Sequence, residues 1–291
     1  MQALATLASS CPARLLSTPS AATRLLAIDV QNEEIERHLR PSRRPLRLLL
    51  IRHGESAMNV QPGLIGGRSN WAPLTELGRQ QARELGRRFR KTGLRPDMVC
   101  SSTAVRAQET ARVCLDAMYC SNQGGESSSN SVRPEIHLSP DILELCQGEY
   151  TGQDRSVIYN DAFLEEVGRE RLFLRAPGLS HVDDDAPGES LFDVEVRVGA
   201  FVDALLEKEK RPDEVVEAHG AKPRIVAIFM HGLAIRCFLR RIMGGSTTAS
   251  MHSQTDNTSI TELEYRTGPH NLDGWQVVRT NDAAHLEGMP L

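Results

Sequence analysis

Two stretches far apart in the chain obey one rule: an unbroken apolar run that stops abruptly at His-Gly. The first is Leu48-Leu49-Leu50-Ile51, followed by Arg52-His53-Gly54. The second is Ile225-Val226-Ala227-Ile228-Phe229-Met230, followed by His231-Gly232. Apolar residues at successive positions, without alternation, predict strands buried on both faces, as in a parallel sheet covered by helices. In such sheets ligands lie beyond the carboxyl ends of the strands. Two imidazoles and a guanidinium therefore stand where a ligand would bind. A lone buried His is commonly a satisfied core residue. Two of them, each closing a strand and each followed by glycine, are not explained by packing. Glycine at these points lets the backbone approach an anion closely or take a positive φ.

The remaining periodicities alternate strand and helix. Thr75 is placed to cap a helix, although Gly78 stands where a capping box would carry Glu or Gln. Leu77, Gln81, Leu85 and Phe89 then keep helical spacing. Asp97 to Cys100 predicts a second strand, and a helix with Arg106 in its first turn runs to about Tyr119. Short strands are expected at Glu135–Leu138, from Asn257 to Tyr265 and at Trp275–Arg279. Pro187-Gly188-Glu189-Ser190 opens a helix with its stripe at Leu191, Val194, Val198, Val202 and Leu205. Leu233 to Met243 predicts another, ended near Gly244-Gly245. Asp154 to Pro177 is mixed in charge and helical in pattern. It is expected to cover the strand ends, where Arg155, Arg169, Arg171 or Arg175 could meet a second acidic group on a ligand.

Arg52-His53-Gly54-Glu55-Ser56, with Asn59 three residues later, resembles the signature of the histidine phosphatase superfamily, also called phosphoglycerate-mutase-like. Three further matches follow in the family's order. Ser101-Ser102, Arg106-Ala107 and Thr110-Ala111 resemble its second motif. Glu144, Gly148, Tyr150 and Gly152 fit its third, which makes Glu144 the acid and Glu149 a rival only in another register. His231-Gly232 is similar to its last. The resemblance covers about Leu46 to Thr280. It implies a three-layer αβα sandwich with a mostly parallel, mixed sheet and a small cap over the site. It divides the chain into residues 1–45, a leader and linker, and residues 46–291, the catalytic domain.

The resemblance also implies roles. His53 would attack phosphorus through a neutral ring nitrogen, its other nitrogen held by an acceptor such as the Gly54 carbonyl. Arg52 and Arg106 would clamp the phosphoryl oxygens, for which a planar, permanently charged fork is suited. His231, protonated, and the backbone at Gly232 would add donors at a helix start. Glu144 would serve as general acid and base, and Asn59 would add a neutral donor. Gly66 lies in Ile65-Gly66-Gly67-Arg68, a loop that resembles the phosphate-side loop of family phosphatases more than the corresponding loop of glycolytic mutases. No metal or cofactor is expected, because the cations already stabilise the charge on the phosphoryl group. The expected function is a metal-independent phosphatase acting on a small phosphorylated substrate through phospho-His53. The alternatives are a phosphoglycerate-type mutase and a non-catalytic phosphate-binding protein.

Composition removes other classes. A net charge of −4 offers no global basic field for nucleic acid. No apolar run approaches the roughly 18 residues of a membrane span. The six cysteines lack metal spacing and read as reduced, mostly core residues. Asp183-Asp184-Asp185 is expected to be an exposed loop rather than a metal site. From Met1 to Ile28 there is no acidic residue, and the segment is rich in Ala, Ser, Thr and Leu. That is transit-peptide composition, which predicts a mitochondrial or plastid location; without import the chain would be cytoplasmic. The oligomeric state is not legible, and a homodimer is left open.

Overall fold

The computed structural model of the chain describes residues 45–119, 132–209, 222–246, 252–266 and 274–289. The leader expected at 1–45 therefore falls, except for Pro45, outside the described residues. A six-stranded sheet organises the rest. Strand β1 (Leu46–Arg52) is followed by α1 (Glu76–Thr92), β2 (Met98–Ser102), α2 (Val105–Tyr119) and β3 (Ile136–Ser139). Two short helices come next, α3 (Arg155–Ile158) and α4 (Asp161–Glu170), then a small hairpin, β4 (Leu179–Ser180) and β5 (Ala186–Pro187). The chain continues through α5 (Leu191–Glu207), β6 (Arg224–Met230), α6 (Gly232–Met243), β7 (Ile260–Arg266) and β8 (Gly274–Asp282). The sheet order is β3-β2-β6-β1-β7-β8. The first four strands are parallel; β7 and β8 run antiparallel. This is the expected three-layer α/β architecture.

The unbroken apolar runs are explained by two cores, one on each face. Leu46, Leu48 and Leu50 of β1 join Val226, Ile228 and Met230 of β6 beneath α5 and α6. Leu49 and Ile51, with Ala227 and Phe229, face α1 and α2 instead. A strand with period-two geometry and both faces buried needs apolar residues at every position. The register pairs Arg52 with Met230, so His53 and His231 leave the sheet side by side. Helix α5 starts with a full capping box between Ser190 and Asp193. The free thiols of Cys100, Cys114, Cys146 and Cys237 are buried, as the composition predicted for most cysteines. Among the described residues no helix is long and apolar enough to cross a membrane.

Two local expectations change. Asn257-Thr258-Ser259 does not begin β7; it is a turn with Thr258 at φ 57°. There the Thr258 amide donates to the Arg52 carbonyl at 3.1 Å, because the chain must wrap the end of β1. Asp183 is buried, 3% exposed, and not part of an exposed run. Its carboxylate accepts from the Asn70 amide at 3.0 Å and the Ser180 hydroxyl at 2.9 Å. Asp184 and Asp185 do stay exposed.

Gly78 also acquires a reason. Thr75 caps α1 by accepting from the Gly78 amide at 3.0 Å. A Cβ on Gly78 would lie 2.0 Å from the Glu55 carbonyl oxygen, and one on Gly54 2.5 Å from the Gly78 carbonyl oxygen. Helix and loop therefore touch backbone to backbone, at a point where neither can retreat. By helix propensity alone Gly78→Ala should stabilise by up to about 1 kcal/mol. The contact reverses that sign. Thermal melting of Gly78→Ala is expected to show destabilisation of at least about 1 kcal/mol; an unchanged or raised Tm would contradict the close approach.

Candidate active site

The site is assembled at the carboxyl ends of β1, β2 and β6, around Arg106. This guanidinium lies in the first turn of α2 and is 4% exposed. Its Nε donates to His53 Nε2 at 3.1 Å, its Nη2 to His231 Nδ1 at 3.1 Å, and its Nη1 to the Ser69 carbonyl at 2.9 Å. A guanidinium only donates, so both imidazole nitrogens must accept. That fixes both tautomers. His53 carries its proton on Nδ1 and donates it to the Gly54 carbonyl at 2.7 Å, the acceptor the sequence suggested. His231 carries its proton on Nε2 and donates it to the Ser102 hydroxyl at 2.7 Å. The ring centroids are 5.2 Å apart, so the two distant His-Gly strand ends meet in one pocket.

Burial is the main force on both imidazoles. It lowers the pKa of His53 well below the ordinary histidine range, and the Arg106 and Arg52 charges push it further down. The neutral form required of an attacking nitrogen is thereby favoured. His231 is lowered in the same way, by burial, then Arg106 and His53. In this arrangement its Nδ1 accepts from a cation and its ring is neutral, whereas the protonated His231 expected from the sequence belongs to the anion-bound site. Burial also pulls Arg106 down to about 10, which still leaves it charged at neutral pH. Arg52 projects from the end of β1 and donates to the Thr255 carbonyl at 2.6 Å. Gly232 makes room for it, since a Cβ there would lie 2.9 Å from Thr255 Oγ1 and 3.4 Å from Arg52 Nε. Among the described residues neither arginine has a carboxylate at ion-pair distance, so both charges can act on an anion.

Glu144 is brought to the same pocket, opposite the arginines. Its carboxylate accepts from the Leu233 amide at 3.1 Å, the Ala234 amide at 3.2 Å and its neighbour Leu145 at 3.0 Å. It thus caps the first turn of α6, a position that favours negative charge. Its backbone is pinned by Arg68 and Arg197, which both donate to the Glu144 carbonyl, at 3.2 and 3.0 Å. Glu149, the rival, is exposed and packs against Gly178. Of the two candidate acids, the glycine register picked the one that lies beside the arginines.

Two expected site residues are not drawn in. Asn59 is exposed, and its amide oxygen accepts from the Ser56 amide and hydroxyl, both at 3.0 Å. It braces the loop after His53, because its carbonyl is used locally in a short turn. Gly66 belongs to the loop that supports Arg106: the Ser69 hydroxyl donates to its carbonyl, and the Ser69 carbonyl accepts from Arg106. The strained position is its neighbour Gly67, at φ 52°, where a Cβ would strike Thr151.

Several positioning residues escaped the sequence. Asn257 Nδ2 donates to the His53 carbonyl at 2.9 Å, and Thr110 Oγ1 accepts from the Gly54 amide at 3.0 Å. Arg197 donates to the Leu143 and Glu144 carbonyls and pairs with Glu189, which also pairs with Arg68. Ser102 and Thr110 stood inside recognised motifs without a stated role. Arg197 had no local signal at all. Of the four candidate cap arginines, Arg155 donates to the Pro62 and Leu64 carbonyls and Arg175 pairs with Asp193. Arg171 lines a cavity, and the Arg169 side chain lies outside the described residues.

The lowered histidines make stability depend on pH. Burial takes His285 down to about 4 as well. Unfolding restores an ordinary pKa near 6.5, so the unfolded chain binds these protons first as pH falls. Stability then rises with pH across this range and is lost as pH drops below about 6.5. The depressed carboxylates Glu189, Asp193 and Asp282 contribute only lower, as pH nears their ordinary values around 4. Urea unfolding is expected to show a falling midpoint from pH 7 to pH 5, with a smaller slope in His285→Gln; a flat profile would contradict the buried, neutral imidazoles.

Comparison with known proteins places this geometry. The sequence profile of the histidine phosphatase superfamily (branch 1) matches residues 48–282. The "Probable phosphoglycerate mutase GpmB" of Enterobacter sp. (strain 638) is 30% identical over 246 residues, 84% of this chain and 97% of that one. Among solved structures, a mycobacterial glucosyl-3-phosphoglycerate phosphatase superposes with a TM-score of 0.61 at 23% identity, covering 82% of this chain and all of the other. A phosphoserine phosphatase from Entamoeba histolytica, solved with phosphoserine, gives 0.57 at 22% identity, covering 83% and 99%. The profile runs from the first strand of the sheet to the last, and the chain belongs to the histidine phosphatase superfamily.

Proposed function

We propose that the chain is a metal-independent phosphomonoesterase that works through phospho-His53. The observation that carries this reading is the orientation of His53: Nδ1–H is held by the Gly54 carbonyl, and the Nε2 lone pair faces the Arg106 guanidinium. A phosphoryl group bound by Arg106 would thus lie against the one ring nitrogen able to attack it. As the phosphoryl dianion takes over the α6 amides, Glu144 picks up a proton from solvent; Nε2 then forms the N–P bond as the ester P–O bond breaks, and Glu144 passes that proton to the leaving oxygen. Water then attacks phosphorus, the N–P bond breaks, and Glu144 recovers the proton. Charge on the equatorial oxygens is met by Arg52, Arg106 and the first amides of α6. A bound dianion also offsets the cations that depress His231, so that its protonated form becomes available as a donor.

Phosphoryl transfer back to a bound acceptor would use the same residues, and the name carried by the 30% identical relative favours that second reading, a phosphoglycerate-type mutase. The Ile65-Gly66-Gly67-Arg68 loop supports hydrolysis instead. Arg68 is committed to the Glu144 carbonyl and Glu189, so this loop presents no free cation to a substrate carboxylate.

The intact chain, incubated with a panel of phosphate monoesters including 3-phosphoglycerate, is expected to release free phosphate and to form an acid-labile phosphoprotein. His53→Ala should lose both. Isomerised product without free phosphate would establish the mutase, and a label persisting in His53→Ala would remove His53 as nucleophile. For Glu144→Gln, hydrolysis of alkyl esters with poor leaving groups is expected to slow by about 10²- to 10⁴-fold, with aryl esters much less affected. Equal slowing of both ester types would argue against proton delivery by Glu144.

A further inference from the structure

We propose that the cavity behind Glu144 is the leaving-group subsite, and that it selects phosphate monoesters of ring-bearing apolar alcohols over those of small sugar acids. This deepens the phosphomonoesterase reading and rests on it for the direction of the ester. The cavity has a volume of about 260 Å³. Leu145 and Leu233 line it, and these are two of the residues whose amides hold the Glu144 carboxylate. Glu144 does not itself line the cavity, but through these two residues its carboxylate lies next to the cavity wall, and its charge acts on Arg52 and Arg106. In this reading an oxygen protonated by Glu144 directs its carbon skeleton toward the cavity.

The lining says what that skeleton is. Phe163 of α4 stacks on Tyr159, with centroids 5.1 Å apart and planes 7° from parallel. Tyr150 meets Phe163 edge-on at 6.0 Å. The Tyr159 hydroxyl donates to Gln147 Oε1 at 2.7 Å, so its polar end is occupied; Arg155 lies over its ring, 5.3 Å from the centroid, and the ring joins Phe163 in the cavity wall. Flat rings prefer flat partners, in stacked or edge contact. The volume is near the lower end of ligand pockets, the scale of one or two fused rings. A sugar acid would bring a carboxylate and hydroxyls into this space, and buried polar groups need partners. The carboxylate on the cavity wall, Glu189, is already committed to Arg68 and Arg197 and would repel another. Arg171 is the single cation among the lining residues. A sugar-acid substrate would depend on it; a ring-bearing one would not.

The test uses two esters with the same primary alkoxide chemistry, 2-(2-naphthyl)ethyl phosphate and n-butyl phosphate, alongside 3-phosphoglycerate. We expect kcat/KM for the naphthyl ester to exceed that for the butyl ester by about tenfold or more. In Phe163→Ala the ratio should fall toward one, mostly through KM, and in Phe163→Leu, which keeps the apolar bulk, it should fall partway. Arg171→Ala should leave the ratio as it is. Affinities of the two corresponding phosphonates, measured by calorimetry on the intact chain, read the same preference without turnover. A phosphonate preference with no turnover would remove the esterase reading and keep the subsite. Equal phosphonate affinities, or preference for 3-phosphoglycerate that is lost in Arg171→Ala, would overturn the subsite.

Discussion

The site depends on a buried cation that is shared between two rings. Arg106 enters the pocket from the first turn of α2 and donates to His53 and His231 at equal distances of 3.1 Å. A buried guanidinium needs acceptors for its donors, and here two imidazoles and one carbonyl provide them. In return the cation dictates which nitrogen of each ring carries a proton and keeps both rings neutral. The outer nitrogens are then held by Gly54 and Ser102. Four separate parts of the chain are thereby fixed relative to each other through one planar group. Lysine could not do this, since a single ammonium lacks the fixed fork.

Opposite this cation stands an internal anion. Glu144 accepts from three amides and neighbours the arginines closely enough for its charge to raise the pKa of both, though burial outweighs it. The same helix start that would bind a phosphoryl oxygen is thus already engaged by the protein's own carboxylate. Arg68 and Arg197, gripping the Glu144 backbone from two sides, hold the acid where the clamp and the cavity join.

How much of this the sequence disclosed follows from the range of the interactions. The sheet was legible because β1 and β6 are buried on both faces, which leaves every position apolar. The end of each run was legible because His and Gly break that pattern at the strand terminus. Glu144 was placed by the spacing of Gly148 and Gly152, a local constraint of the turn. Asn257, Asp183 and Arg197 were not legible, because each acts on a residue distant in the chain and an amide, carboxylate or guanidinium on a polar segment looks like solvated surface. Asn59 was marked by a family motif, while the structure shows its amide oxygen engaged in the turn three residues back.

The alternating burial along β1 carries one more consequence. This strand is paired on both sides, to β6 and β7, and its odd and even side chains belong to different cores. A slip of one residue would exchange the two cores and carry His53 out of reach of Arg106 and Arg52 away from the Thr255 carbonyl at once. Misplacing the chemistry by sliding this strand is therefore inseparable from unfolding it. The cap and the cavity, where few such constraints meet, can be reshaped without disturbing the placement of His53 against Arg106.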